Sequence, residues 1–395
     1  MKRTITFLLV LVSLCAKAQV GIGTIFPKAG LHVADSSVLF SASGDVATSP
    51  SGIPATGEGR RMMWYADKAA FRAGYVGSFG SSYWDNGLVG NYSFAAGSNT
   101  RASGQHSFAV GLATTASGNE SVALGSYGTA SADRALAFNG TASAVGAIAM
   151  GSGAQATADD AMALGPSSIA GGLASVVIGP SIAYGAFGIA IGLQNSARGN
   201  FSLAMGKNAR VRHQGACVIS DASAGFSSDS AYSSSNNQMT MRFVGGFRLF
   251  TTMNLSTGVT LAPGDGAWAS VSDRRKKDNF RNLDTEQILM KVAGMSVTSW
   301  NYKSQPAATR HIGPMAQDFY AAFGQEGIGN DTTINTIDID GVNMAAIQAL
   351  EKRTKQLQEE NDQLRARLEA LDKRMVSMEK MINNVAKKEK VMASR

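Results

Sequence analysis

Cysteine is nearly absent. Of 395 residues only Cys15 and Cys217 carry a thiol, and Cys15 lies in an N-terminal stretch that reads as a removable leader. Lys2 and Arg3 precede an apolar run from Ile5 to Leu14, and Ala16-Lys17-Ala18 supplies the small-x-small cleavage pattern before Gln19. Bulky Leu14 ahead of Cys15 argues against a lipid-anchor site. Removal of residues 1–18 leaves one cysteine, so no disulfide within the chain holds the fold, although export permits disulfides. Beyond the leader no apolar run is long enough for a membrane-spanning helix, so the mature chain is expected to have none. Charge is scarce as well. Asp, Glu, Lys and Arg make up 16% of the chain, and only ten of them fall between residues 91 and 220. The net charge of +7 is spread thinly, with no basic stripe interleaved with aromatics, which excludes an ordinary nucleic-acid binder. Four acids occupy that central stretch, Glu120, Asp133, Asp159 and Asp160. None is spaced as a carboxylate pair across a cleft, so glycoside hydrolysis is not expected there. No cofactor or metal is expected.

What is present is repetition. Ser93-Phe-Ala-Ala-Gly97, Ser107-Phe-Ala-Val-Gly111 and Ser121-Val-Ala-Leu-Gly125 return as variants ending at Asn139, Gly151, Gly165, Gly179, Gly192, Gly206 and Ser220. Most steps are fourteen residues, with one of twelve and one of thirteen. Bulky residues at alternate positions share one strand face and Ala takes the other. Gly permits the turn that follows, and a second short strand such as Thr114-Thr-Ala-Ser-Gly118 completes each coil. So short a coil has no room for a helix. The expected fold is mostly β, a stacked solenoid whose core is built between coils. With so few charges, a single copy exposes a long apolar face, and threefold lateral packing is the simplest closed way to cover it. Cys217, in register with Val122, is expected to point inward as a small apolar residue.

These coils resemble the left-handed parallel β-roll heads of trimeric autotransporter adhesins, without the C-terminal membrane β-barrel of that family. The resemblance implies a homotrimer and a surface ligand, glycan or protein. Ahead of the repeats, residues 19–90 read as a β cap, with short strands at Gly21-Ile-Gly-Thr and Leu31-His-Val and strand-like segments from Arg61 and Ala70. Trp64, Tyr65, Tyr83 and Trp84 are candidate ligand contacts there, with core packing the competing role. After the repeats, 221–271 read as a β neck.

A basic stretch follows, Ser272-Asp273-Arg274-Arg275-Lys276-Lys277-Asp278-Asn279-Phe280, opening a small α/β segment over 272–342. A helix is expected over 284–292, a strand over 296–302, a strand or turn entering a helix from Ile312, and a last strand at Thr336-Ile-Asp-Ile-Asp. From 343 the chain is a heptad helix. Ile347, Thr354, Asn361, Leu368, Met375 and Ile382 take a positions, and Leu350, Leu357, Leu364, Leu371, Met378 and Val385 take d positions. Asn361 at an a position sets alignment at some cost in stability.

Ser272-Asp273-x-Arg275-x-Lys277-x-Asn279-Phe280, then Gly313-Pro-Met-Ala-Gln317, then the terminal heptads resemble the intramolecular chaperone/peptidase domain of phage endosialidase tail spikes and myelin regulatory factor. Phe280 stands where that family usually has Ile. The resemblance implies a domain that trimerises, templates the chain ahead of it and cuts itself off between Val271 and Ser272. Ser272 would be the nucleophile and Lys277 the general base of a single-turnover serine endopeptidase, with Asp273, Arg275 and Asn279 as supporting motif. No activity on an external substrate is implied. Arg274, Arg275 and Lys276 supply like charge that favours a neutral Lys277. A spacing of five does not align on one helical face, so Ser272 is expected on a strand or turn and Lys277 at a helix start, or the arrangement is completed by a neighbouring subunit. His311 and Gln317 are candidate oxyanion donors. The resulting expectation is an exported bacterial trimeric fibre, secreted or on the cell surface. The alternative is a phage-type tail fibre or tail spike that binds or degrades a surface glycan, and the leader opposes it, since virion proteins assemble in the cytoplasm. A membrane-released transcription factor is a further rival, but the chain carries neither a DNA-binding motif nor a membrane-spanning helix.

Overall fold

The computed structural model describes residues 19–393. The leader, with Cys15, lies outside them. Two compact units divide the chain, the first ending at Gly246 and the second beginning at Phe247.

The first unit is a parallel β-roll. Each coil contributes one strand to a 13-stranded sheet and one to a 10-stranded sheet. Coil follows coil with Ala opposite Ala: Ala95, Ala109, Ala123, Ala137, Ala149 and Ala163 are in register in the long sheet. Ala102, Ala116, Ala130 and Ala142 do the same in the short one. All are fully buried. The coil is so narrow that its own core is two facing columns of methyl groups, with Val177, Val211 and Val218 as the largest inserts.

In the first three coils the Ser that opens the pentapeptide has a local task. Ser93, Ser107 and Ser121 are buried and donate Oγ–H to the carbonyls of Gly90, Gly104 and Gly118 at 2.5, 2.6 and 2.6 Å, satisfying corner acceptors that water cannot reach. The Gly that closes it is required sterically. Gly111 has φ +127°, and a Cβ there would lie 1.9 Å from the carbonyl oxygen of Gly125 in the next coil. A third column ties the exposed corners together: Asn119, Asp133, Asp159 and Asn200 each accept from the backbone N–H of the coil before, at 2.9–3.0 Å.

With Ala inside, the bulky residues point out. Phe108, Phe138, Met150, Ile178 and Ile189 are between 37% and 44% exposed, and Phe71, Phe94 and Phe108 stack at 5.3 and 5.0 Å along the outer face. Cys217 belongs to this column. It pairs with Leu203 and is half-buried, whereas its neighbour Val218 fills the inward slot. The expectation that Cys217 points inward is therefore corrected: alternation defines two faces, and the narrow coil admits only the smaller one.

At its N-terminal end the long sheet continues through Gly59–Tyr65 and Ala70–Val76. Arg72 takes the place of Ala in the inward column, opposite Ala95. It is fully buried, and its guanidinium donates to the carbonyls of Phe71, Ser93 and Ala102 and to Ser93 Oγ at 2.8–3.1 Å. Burial pulls its pKa down to about 10. Trp84 and Tyr65 are buried too, Trp84 donating Nε1–H to Thr100 O at 2.8 Å, so these two aromatics close the end of the roll. At the other end Met239–Arg242 pairs in parallel with Cys217–Ser220.

The second unit opens with an antiparallel sheet of Phe247–Phe250, Gly258–Leu261 and Ala269–Ser270. Helix Thr285–Ala293 starts at Asp284, whose carboxylate accepts from the N–H of Glu286 and Gln287. Thr298–Trp300 pairs with His311–Gly313, and helix Ala316–Phe323 follows. Ile288, Leu289, Phe319 and Phe323 pack with Val342, Ala345, Ala346 and Ala349 of the long helix Thr336–Ala393. The strand expected at Thr336-Ile-Asp-Ile-Asp is the first turn of that helix. Asn335 Oδ1 accepts from Ile337 N–H, its carbonyl accepts from Ile339 N–H, and Ile339 packs on the small core. Capping and packing override the short alternation. Beyond Arg353 the helix is bare, with Leu357, Leu364, Leu371, Met378 and Val385 between 54% and 65% exposed. Among the described residues no helix is long and apolar enough to cross a membrane.

Candidate active site

Ser272 leaves the strand Ala269–Ser270 two residues after its end, and Val271 N–H still bonds to the carbonyl of Gly258 at 3.0 Å. The chain then makes one 3₁₀ turn, Arg274–Lys276. Asp273 caps it: its carboxylate accepts from the backbone N–H of Arg275 at 2.9 Å and pairs with the Arg275 guanidinium at 2.9 Å. The Arg275 side chain, then its backbone N–H, hold the Asp273 carboxyl below the usual range, with a smaller contribution from Lys276.

That turn brings two side chains five residues apart into contact. Lys277 Nζ donates to Ser272 Oγ at 2.7 Å. Lys277 stands at the C-terminal cap of the 3₁₀ turn, not at the helix start expected for it, because the turn ends in extended backbone before Asn279. Asn279 adopts φ +57°, a left-handed conformation that Asn tolerates better than most residues, and sends the chain back. Arg274 lies over the Phe280 ring at 5.0 Å, and Lys276 Nζ donates to Leu255 O at 3.1 Å. Asp273, Arg275, Lys276 and Asn279 thus shape the turn that presents Ser272 and Lys277, both of which are exposed in the single chain.

Chemically, a hydroxyl hydrogen-bonded to an amine is a nucleophile with its proton acceptor in reach. Val271, half-buried beside it, carries the carbonyl next in the chain. Residues 272–328 match the family described as chaperone of endosialidase. The match begins at Ser272 itself. Upstream, the YadA head domain repeat matches the coils over 89–138, 142–181 and 183–209. No curated protein matches the chain.

The chaperone-like segment leaves the two oxyanion candidates elsewhere. His311 Nε2 lies 2.9 Å from Gln305 Oε1 and its ring packs against Trp300 and Tyr302. Gln317 is exposed on the first turn of Ala316–Phe323. Neither is hydrogen-bonded to Ser272 among the described residues. The capping role of Asp273 and the stacking of Arg274 on Phe280 were not singled out from sequence. An Asp directly before a polar turn is the local signal for the first.

Proposed function

We propose that the chain is an exported, trimeric, adhesin-like surface fibre whose segment from Ser272 onward templates assembly and then frees itself by one cut between Val271 and Ser272. The observation that supports the cut most is the 2.7 Å contact of Lys277 Nζ with Ser272 Oγ, at the first residue of the chaperone-like match. The trimer is favoured by two apolar surfaces that a lone copy leaves wet: the outward column of the long sheet and the heptad stripe beyond Leu350. Both are closed by the same association.

The cut balances without a cofactor. Ser272 Oγ attacks the carbonyl carbon of Val271 as its proton passes to neutral Lys277 Nζ. The bond from that carbon to the Ser272 nitrogen breaks, and Lys277 returns the proton to the leaving amine. An ester of Val271 on Ser272 Oγ remains. Water hydrolyses it, leaving a Val271 carboxylate and a Ser272 with free amine and hydroxyl. Each chain reacts once.

Intact mass of the two products tests this. The expected fragments end at Val271 and begin at Ser272, and Ser272→Ala or Lys277→Ala leaves the full-length chain. A wild-type chain that stays whole in assembled trimers contradicts the cut.

A further inference from the structure

The ten charged residues of the coils are not evenly placed. Between 161 and 220 there is no acid, while Arg198, Lys207, Arg210 and Arg212 fall within fifteen residues. The short sheet explains their geometry. Ser196 pairs with Arg210 and Arg210 with Tyr232, and Ala197 pairs with Val211. The next residue along carries a second outward column, Tyr184–Arg198–Arg212. Adjacent coils stand ~4.8 Å apart, so three guanidinium groups share a patch two columns wide. In earlier coils one of these columns holds Ser103, Ser117, Ser131, Ser143 and Thr157, and the other holds Arg101, Thr115, Thr129, Thr141, Gln155, Ile169 and Ile182. The roll therefore has no structural need of arginine here.

The patch lines a groove of about 580 Å³. Arg210 is half-buried at its floor, Arg198 and Arg212 are exposed at its rim, and His213 is held by Ser233 Oγ at 2.8 Å. Among the described residues lining it, none is acidic and Val211 is the only aliphatic one. Two exposed aromatic rings border it: Tyr232 in the lining, 67% exposed, and Tyr184, 49% exposed, with Arg198 over its ring at 5.8 Å. The opposite sheet carries the longer apolar columns, so in the proposed trimer the short sheet with these arginines is the one expected to face water.

We infer that this groove binds an acidic polysaccharide, its sulfate or carboxylate groups paired with Arg198, Arg210 and Arg212 and a sugar face laid on Tyr184 or Tyr232. Guanidinium forks suit planar or tetrahedral oxyanions. Flat rings beside them suit pyranose faces, and an acidic peptide would seek the apolar pockets this groove lacks. The assignment rests on the reading of the chain as a surface fibre, and it names the ligand class that reading leaves open.

Titration calorimetry of the assembled wild-type product tests it with four probes of equal length: a heparin-derived oligosaccharide, an oligogalacturonate, a neutral dextran and single-stranded DNA. One or both acidic saccharides are expected to bind, more weakly as salt is raised, and dextran is not. Sulfate is assigned if heparin alone binds, carboxylate if oligogalacturonate alone does. Arg198→Ser with Arg212→Ser restores the residue the same column carries earlier, so folding is preserved, and affinity is expected to fall about tenfold or more. Arg134→Ser, on another face, is expected to change nothing. Trimers cut at Val271 that bind neither acidic saccharide overturn the inference and leave the fibre reading standing. Binding that survives the double substitution, or DNA bound as tightly as the saccharides, overturns it too. Single uncut chains overturn the fibre reading, and the inference with it.

Discussion

Ser272 and Lys277 meet because the residues between them turn, and the turn is held by one carboxylate. Asp273 accepts from Arg275 N–H while gripping its guanidinium, so the nucleophile's neighbour is also its positioning residue. Lys277→Arg keeps a cation but replaces the amine with a guanidinium that stays protonated, and cleavage is expected to fall at least about 10²-fold, read as full-length band on a denaturing gel. The depressed pKa of Asp273 sets an acid limit. Its contribution is complete above the ordinary aspartate range and is lost as pH falls through the lower folded value. Loss of the cap is therefore expected only at strongly acid pH, and Asp273→Asn is expected to slow cleavage already at neutral pH. A wild-type profile that Asp273→Asn leaves unaltered contradicts the capping role. The motif was legible in the sequence as residue types. The contact was not, since five-residue spacing reaches only through a turn, and residue types alone do not show that Asp273 caps it.

The repeating coil is legible at the scale of the element because each of its residues has one job. Ser caps a corner carbonyl, Ala fills the core, the bulky neighbours face out, and Gly lets the next coil approach. Gly111→Ala tests that division. It places a Cβ 1.9 Å from Gly125 O at φ +127°, where backbone strain alone costs about 1–3 kcal/mol. The thermal midpoint of the uncleaved protein is expected to drop by several degrees, whereas Gly87→Ala, with open space around it, is expected to leave it unchanged. Two elements were misread for a common reason. Cys217 and Thr336–Asp340 both sit in alternating apolar patterns, which specify faces but not what those faces meet. For Cys217 the coil's narrow core decides. For Thr336–Asp340 the Asn335 cap and the packing of Ile339 decide. Arg72 was unreadable on different grounds: an inward arginine is tolerable only where a roll ends and backbone carbonyls can accept a second hydrogen bond from it.

On the scale of the whole molecule, the account turns on association. The heptad stripe from Leu357 to Val385 and the outward column of the long sheet are apolar and unpartnered in one chain, and burial on this scale is worth about 25 cal/mol per Å². A chain ended after Arg353 keeps the small core and the Arg353–Glu286 ion pair at 2.7 Å but loses most heptads. It is expected to yield mainly single or aggregated chains and little cleavage, measured by light scattering on the eluted peaks. Normal trimers from that chain would assign assembly to the coils alone. The most direct measurement is native mass spectrometry of the wild-type product after assembly. Three copies, each running from Gln19 to Val271, are predicted. A single copy, or three copies still joined to the residues beyond Ser272, would contradict the account.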